Sequence, residues 1–299
     1  MQAQAALSRL EKPRPVQRTW LSDVWRRFLR QRLAVLAGVA LLAILSSALL
    51  APVIAPYDPE QIFPEGLGNP LAPNEKFWLG TDGRGRDLLS RLLWGGRISL
   101  AVGITASTVT LCIAVLVGGL AGFWGGRVDY TIMRLVDLMM SIPSFFVILL
   151  LVALLKPSPL AVVFVIVLFG WPYPTRVFRS EVLSLRRRDF ILAAQSLGAP
   201  VRMIFARHLL PHILPLLVVY LSLSIPGAIF TETTLSYLGL GVPPPTPTWG
   251  SMVLDGQPYY RVAPWLVLFP GLAIMLTGVC FNLVGTGLRE AIDPVRRER

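Results

Sequence analysis

Six strongly apolar stretches of the chain carry no Asp, Glu, Lys or Arg: 33–54, 98–123, 138–155, 157–175, 209–231 and 262–288. A bilayer core about 30 Å thick is crossed by about 20 apolar residues at a rise of 1.5 Å each. Every stretch approaches or exceeds that length, so the pattern predicts an all-α membrane protein with six transmembrane helices. Ahead of the first stretch, TWLSDVWRRFLRQR (19–32) puts Trp20, Leu21, Val24 and Phe28 on one helical face and Arg26, Arg27 and Arg30 largely on the other. That arrangement predicts an amphipathic helix lying in the membrane interface and feeding the first span.

The intervening polar segments divide the chain. Residues 1–32 form the N-terminal region with its amphipathic helix, and 33–55 the first span, long and apolar enough for a retained anchor rather than a cleaved signal peptide. Segment 56–97 is rich in Pro and Gly with no helix or strand period. A core of spans follows over 98–288, and 289–299 is a basic tail. The second span carries Gly118, Gly122 and Gly126 at four-residue spacing, which predicts close helix packing in lipid. A short turn around Lys156-Pro157-Ser158-Pro159 joins spans three and four. The run Val242–Pro247, within the 233–261 segment between spans five and six, must be extended. No internal repeat of the kind found in many secondary transporters is present.

Composition sharpens the picture. Only 15% of the 299 residues are charged and 54% are hydrophobic, which excludes an ordinary soluble or disordered chain. The net charge of +11 raises the question of nucleic acid, but its distribution answers it. With the N-terminus inside, 21 of the 28 Lys and Arg fall on the cytoplasmic side, in 1–32, 124–137, 176–208 and 289–299. The other side holds Lys76, Arg84, Arg86, Arg91, Arg97, Lys156 and Arg261. Positive charge retained inside predicts an N-in, C-in topology and no nucleic-acid partner. Cys112 and Cys280 both fall in spans and read as apolar packing residues.

The segment DFILAAQSLGAPVRMIFARHLLPHILP (189–215) carries the motif that bears on mechanism. Residues 181–197 suit a helix with Arg186, Arg187 and Arg188 towards solvent. Gly198 stands where a helix ends on a left-handed residue, and Pro200 stands where the next begins at its first position. Val201, Ile204, Phe205, His208 and Leu209 then make an apolar stripe. The result is a helix–turn–helix at the membrane surface with a small-residue tip at Ala193, Ala194 and Gly198. Such a tip fits a groove on a partner; a surface hairpin without a partner has the same pattern.

This segment resembles the EAA loop of ATP-binding-cassette (ABC) importer permeases, which would span 181–211 here. Ala193, Ala194, Gly198, Leu210 and Pro211 match the motif, with Asp189 and Arg202 beside it, and Leu192 replaces the motif's glutamate. WLGTDGRGRDLLSRLLWGGRISL (78–100), RLVDLMMSIPS (134–144), TETTLSYLGLGVPPPTPTWGS (231–251) and the stretch ending FNLVGTGLREAIDP (264–294) resemble the second permease subunit of dipeptide, oligopeptide and nickel importers. An acid is common in that family where Thr286 stands. The resemblance implies a type I ABC importer permease fold and a multi-pass location in the bacterial inner membrane. It implies four kinds of neighbour: a homologous second permease, two cytoplasmic ATPase subunits, an extracytoplasmic substrate-binding protein and the lipid bilayer. ATP and Mg would belong to the ATPases, with no cofactor in this chain, and closure of the ATPases would flip the pore between inward- and outward-facing states. The sequence itself contains no Gly-Lys pair, hence no P-loop.

Individual residues leave alternatives open. Glu232, at the outer end of span five, fits either the translocation path, meeting a peptide ammonium, or the wet interface. Asp82, Arg86 and Asp87 match family positions facing the binding protein, and physically they suit a turn-stabilising charge cluster. Arg134 and Asp137 are spaced for a local ion pair. His208 and His212 sit at metal-chelating spacing but without a nearby acid or thiol, so no metal site is assigned. An ion-driven secondary transporter predicts paired intramembrane carboxylates or broken helices in matching halves, whereas the spans hold only Asp137 and Glu232 near their ends. An intramembrane protease predicts a Ser/His or metal constellation, and no HExxH occurs. Import of peptides is the leading reading, with nickel or another small solute carried by the same architecture as the alternative.

Overall fold

The computed structural model describes residues 20–155 and 158–292. The expectations for residues 1–19, for the Lys156-Pro157 part of the turn and for the tail beyond 292 lie outside the described residues. The fold is helical: α1 Trp20–Arg30, α2 Arg32–Leu49, α3 Leu88–Trp124, α4 Gly126–Ser141, α5 Ser144–Leu154, α6 Pro159–Gly170, α7 Pro172–Arg186, α8 Asp189–Ser196, α9 Val201–Tyr237, α10 Trp249–Gly256 and α11 Trp265–Ile292. Among the described residues β-pairing is confined to two isolated bridges, Leu67 with Arg84 and Thr81 with Asp87.

Four helices, α2, α3, α9 and α11, are long and apolar enough to cross a membrane alone, and the count reaches six if α4–α5 and α6–α7 are each one bent span. The third and fourth apolar windows are therefore not straight rods. α4 and α5 meet at 82°, and α6 and α7 at 48°. Proline explains both breaks. Pro143 forces Ile142 into an extended conformation (φ −84, ψ 132), ending α4. Pro172 lacks the N–H that would continue α6 into α7, so the two meet at a kink.

α3 begins ten residues before its apolar window because Asp87 caps it, accepting hydrogen bonds from the Ser90 backbone N–H (2.8 Å) and hydroxyl (2.6 Å). It ends at Gly125 and Gly126, both in the left-handed region (φ 66 and 54). The expected glycine stripe is thus shorter than its spacing suggests: Gly126 has left the helix. Gly118 and Gly122 remain and seat α7, since a Cβ on Gly122 would stand 2.7 Å from the Arg179 carbonyl oxygen. α4 is tied to α7 by two ion pairs, Asp129 with Arg179 and Asp137 with Arg176. Arg134, the expected partner of Asp137, stands 4.0 Å away.

α1 lays Val24 and Phe28 against Ala34, Leu288 and Ala291. Its apolar face therefore closes over the end of α11, and Trp25 and Leu29 point outward on another side. Gln31 and Glu290 are joined at 3.4 Å. Cys280 is buried as expected, whereas Cys112 is exposed.

Candidate functional site

Two ends of the bundle carry the candidate residues. At one, residues 187–211 form a knob. α7 stops after Arg186, so the predicted 181–197 helix is two helices, with α8 restarting at Asp189. Gly198 has φ +74, the left-handed conformation expected of it. Pro200 is the cap preceding α9 rather than its first residue. After one α-helical turn, Val201–Ile204, α9 continues with a π-helical turn, Phe205–Leu209, in which the Leu210 N–H bonds the Phe205 carbonyl. Pro211 and Pro215, which cannot donate to the preceding turn, follow directly and favour this local widening.

The knob is anchored from below and bare on top. Ile191, Ile204 and Leu209 bury into a cluster with Phe123, Phe178 and Val182, and Ala194 and Leu210 pack at its edge. Phe190 stacks on His212 with ring centres 5.0 Å apart, and the His212 Nδ1 lies 2.6 Å from the His208 carbonyl oxygen. The two histidines thus have packing partners, and the described residues contain no metal-ligating cluster. Asp189, Ala193, Gly198, Arg202 and Pro211 are exposed, as is Leu192. Leu197 is 88% exposed, an apolar side chain at the tip with nothing of this chain over it.

On the bundle side of the knob lies a cavity of about 1250 Å³, bounded by α3, α5, α6, α7, α9 and α11. Its charged lining residues, Glu181, Arg188 and Arg289, sit at the knob end, near the ends of α7 and α11. Tyr173, Tyr220, Ser224 and Thr231 line it further in, between aliphatic side chains.

Glu232 does not line this cavity, although Thr231 beside it does. Glu232 is 0% exposed and accepts hydrogen bonds from Ser99 (2.9 Å) and Ser236 (2.7 Å). The Ser99 hydroxyl also receives the Trp249 N–H at 3.3 Å. Neither expected placement, in the path or in interfacial water, describes it. A carboxylate sealed among apolar helices has to take local donors, and it finds them on α3 and its own helix, beside the start of α10.

At the far end, residues 55–87 fold into a lobe. Tyr57, Phe63 and Phe77 form an aromatic cluster, with Lys76 5.1 Å above two of the rings and bonded to Glu65 at 3.0 Å. Asp82, Arg86 and Asp87 are buried rather than presented to a partner. Arg86 binds Asp82 at 2.7 Å and Asp255 at 3.2 Å, and Arg91 reaches the same two acids at 3.4 Å. Charges this enclosed must be paired. Together they hold the lobe to α10.

Sequence reasoning missed α10 itself. Its signal was local: Thr248 and Ser251 cap each other reciprocally, a capping box with serine at the third position. It also missed Asp255, Asp129 and Arg179, whose partners lie on other parts of the fold.

Residues 114–298 match the family model described as binding-protein-dependent transport system inner membrane component. Residues 19–73 match the N-terminal transmembrane domain of oligopeptide transport permease C. The chain is 37% identical over 276 residues to an oligopeptide transport system permease protein of Bacillus subtilis, covering 92% of this chain and 90% of that one. It is 40% identical over 277 residues to a glutathione transport system permease protein of Pectobacterium atrosepticum, covering 93% and 92%. Among solved structures, the methionine ABC transporter MetNI in an inward-facing conformation has a chain that superposes with a TM-score of 0.55 at 16% identity, covering 68% of this chain and 96% of that one. That likeness extends to the fold, the type I importer permease fold expected from the sequence.

Proposed function

This chain belongs to the family of binding-protein-dependent transport system inner membrane components, a permease subunit of an ABC importer, and from that premise we propose that it forms one half of a peptide-conducting pore in a bacterial inner membrane. Its near full-length relatives are named for oligopeptide and glutathione transport, both peptide cargoes. A second permease would complete the pore, and a substrate-binding protein would load it from the lobe side. Two ATPase subunits would hold ATP and Mg; this chain takes no cofactor and performs no hydrolysis. The charge distribution supports six spans with both termini inside, so that the knob faces the cytoplasm.

The observation that carries the coupling role is the bare tip of the knob. Leu197 is almost wholly exposed on a base that is fully packed. An apolar side chain held rigidly above a surface is the kind of feature a groove on another protein covers. Leu192 at the family's glutamate position makes this contact more apolar.

The test is Leu197→Asp in the complete transporter. Stability of the purified permease is expected to hold within about 0.5 kcal/mol, because the side chain is almost wholly exposed. Co-purification of the ATPase and ATP-driven uptake of a labelled tripeptide are expected to be lost. Full recovery of the ATPase and undiminished uptake would remove the knob from the coupling role.

A further inference from the structure

We propose that Ser107 and Thr110 on α3 form a hydrogen-bonding station in the cavity wall for main-chain amide groups of a peptide in transit, a reading that rests on the permease role above. Both line the cavity, and both are nearly sealed, at 2% and 6% exposure. Neither the Ser107 Oγ nor the Thr110 Oγ1 has a hydrogen-bond partner. A buried hydroxyl left unpaired costs about 1–3 kcal/mol.

Two other hydroxyls line the cavity from α9 and are placed differently. Ser224 donates to the Leu221 carbonyl at 3.1 Å, and Thr231 to the Gly227 carbonyl at 2.9 Å, each satisfied by its own helix. Ser107 and Thr110 sit on an equally regular helix and make no such bond.

Their setting selects the ligand chemistry. Leu111, Ile148, Ile166 and Phe169 share this part of the lining, all apolar. Thr110 lies beside Gly170, where an added Cβ would stand 3.2 Å from its hydroxyl. Glu181, the nearest charged lining residue along this part of the chain, stands eleven positions beyond Gly170, past the bend and in the third turn of α7. An ionic group here would have no counter-charge and would be costly to desolvate. A neutral amide suits the site: a hydroxyl both donates and accepts, so it pairs with N–H or C=O whatever the side chain. The apolar wall then takes the side chains, giving a station tolerant of sequence. Gly170 stands at the 48° bend between α6 and α7. A rotation about χ1, or a parting of α6 from α3 at that bend, turns the two oxygens towards the space they already border.

The experiment uses the complete transporter in liposomes, with Ser107→Ala, Thr110→Val and Thr110→Ser, a labelled tripeptide, and melting of the purified permease. Replacing the unsatisfied Thr110 hydroxyl by a methyl of similar shape, or deleting the unsatisfied Ser107 hydroxyl, should leave the melting temperature nearly unchanged or raised. A merely structural hydroxyl would then leave uptake unchanged. The proposal expects the opposite sign: Ser107→Ala and Thr110→Val lower the maximal uptake rate about three- to tenfold, the loss of one net hydrogen bond, and Thr110→Ser keeps it near the wild-type value. Unchanged uptake in Ser107→Ala and Thr110→Val, or a loss in Thr110→Ser equal to that in Thr110→Val, overturns the station. Wild-type transporter that carries no tripeptide overturns the peptide reading along with it.

Discussion

Glu232 shows what a single ionisable residue does once it is enclosed. It was the one acid near the lobe end of its helix in the sequence, and intramembrane acids are functional candidates by default. The structure uses it instead to join α9 to α3 beside α10, through Ser99 and Ser236. Glu232→Ala would leave two serine hydroxyls without their acceptor in a buried space. It should destabilise the permease by about 2–4 kcal/mol. Glu232→Gln keeps an acceptor of the same shape and should cost distinctly less. Thermal melting in detergent separates the two variants, and equal melting temperatures would contradict the bracket. Uptake per folded molecule should survive in Glu232→Gln, because this side chain does not border the cavity. The same logic covers Asp82, Arg86 and Asp87: their types were legible as a cluster, but only the fold reveals that Asp255 completes it from 169 positions beyond Arg86.

At the scale of elements, glycines divide into those that let helices touch and those that let the chain turn. Gly118 and Gly122 belong to the first kind. Gly122→Leu would drive a side chain into the Arg179 carbonyl and Val182, forcing α7 off α3. The expected result is a loss of several kcal/mol, of order 3 or more, read as failure to recover folded protein or a collapse in melting temperature. Gly198 is of the second kind. A Cβ there meets open space, but φ is +74, so Gly198→Ala should cost about 1–2 kcal/mol of backbone strain, read as a modest fall in melting temperature with the fold retained. A larger loss at Gly198 than at Gly122 would contradict both assignments. These elements also mark what the sequence could reveal. Uninterrupted apolar windows fell on helices because burial in lipid demands apolar side chains and satisfied backbones. The bends at Pro143 and Pro172 were obscured because apolarity continues across them, and a window reports composition rather than direction. The ion pairs of Asp129 and Asp137 were obscured for another reason: Arg179 and Arg176 lie on α7, and only tertiary packing brings α7 beside α4.

For the whole molecule, the charge asymmetry and the two decorated ends make one joint claim about orientation. Trp78 in the lobe and Leu197 in the knob are both highly exposed. In a background lacking Cys112 and Cys280, and in the permease without its ATPase subunits, Trp78→Cys should react with a membrane-impermeant maleimide from outside, and Leu197→Cys only after the membrane is opened. Labelling of both from one side would reject the N-in, C-in arrangement. Between those ends runs α3, 37 residues without interruption, about 55 Å against a bilayer core of about 30 Å. Its first turn is clamped to the lobe through Asp87 and Arg91, and its last is buried in the base of the knob through Phe123. A rigid rod tied into both ends is a lever between them: a tilt of α3 as one body by about 10° about its midpoint would carry each end roughly 5 Å in opposite directions, linking knob and lobe without a relay of side chains.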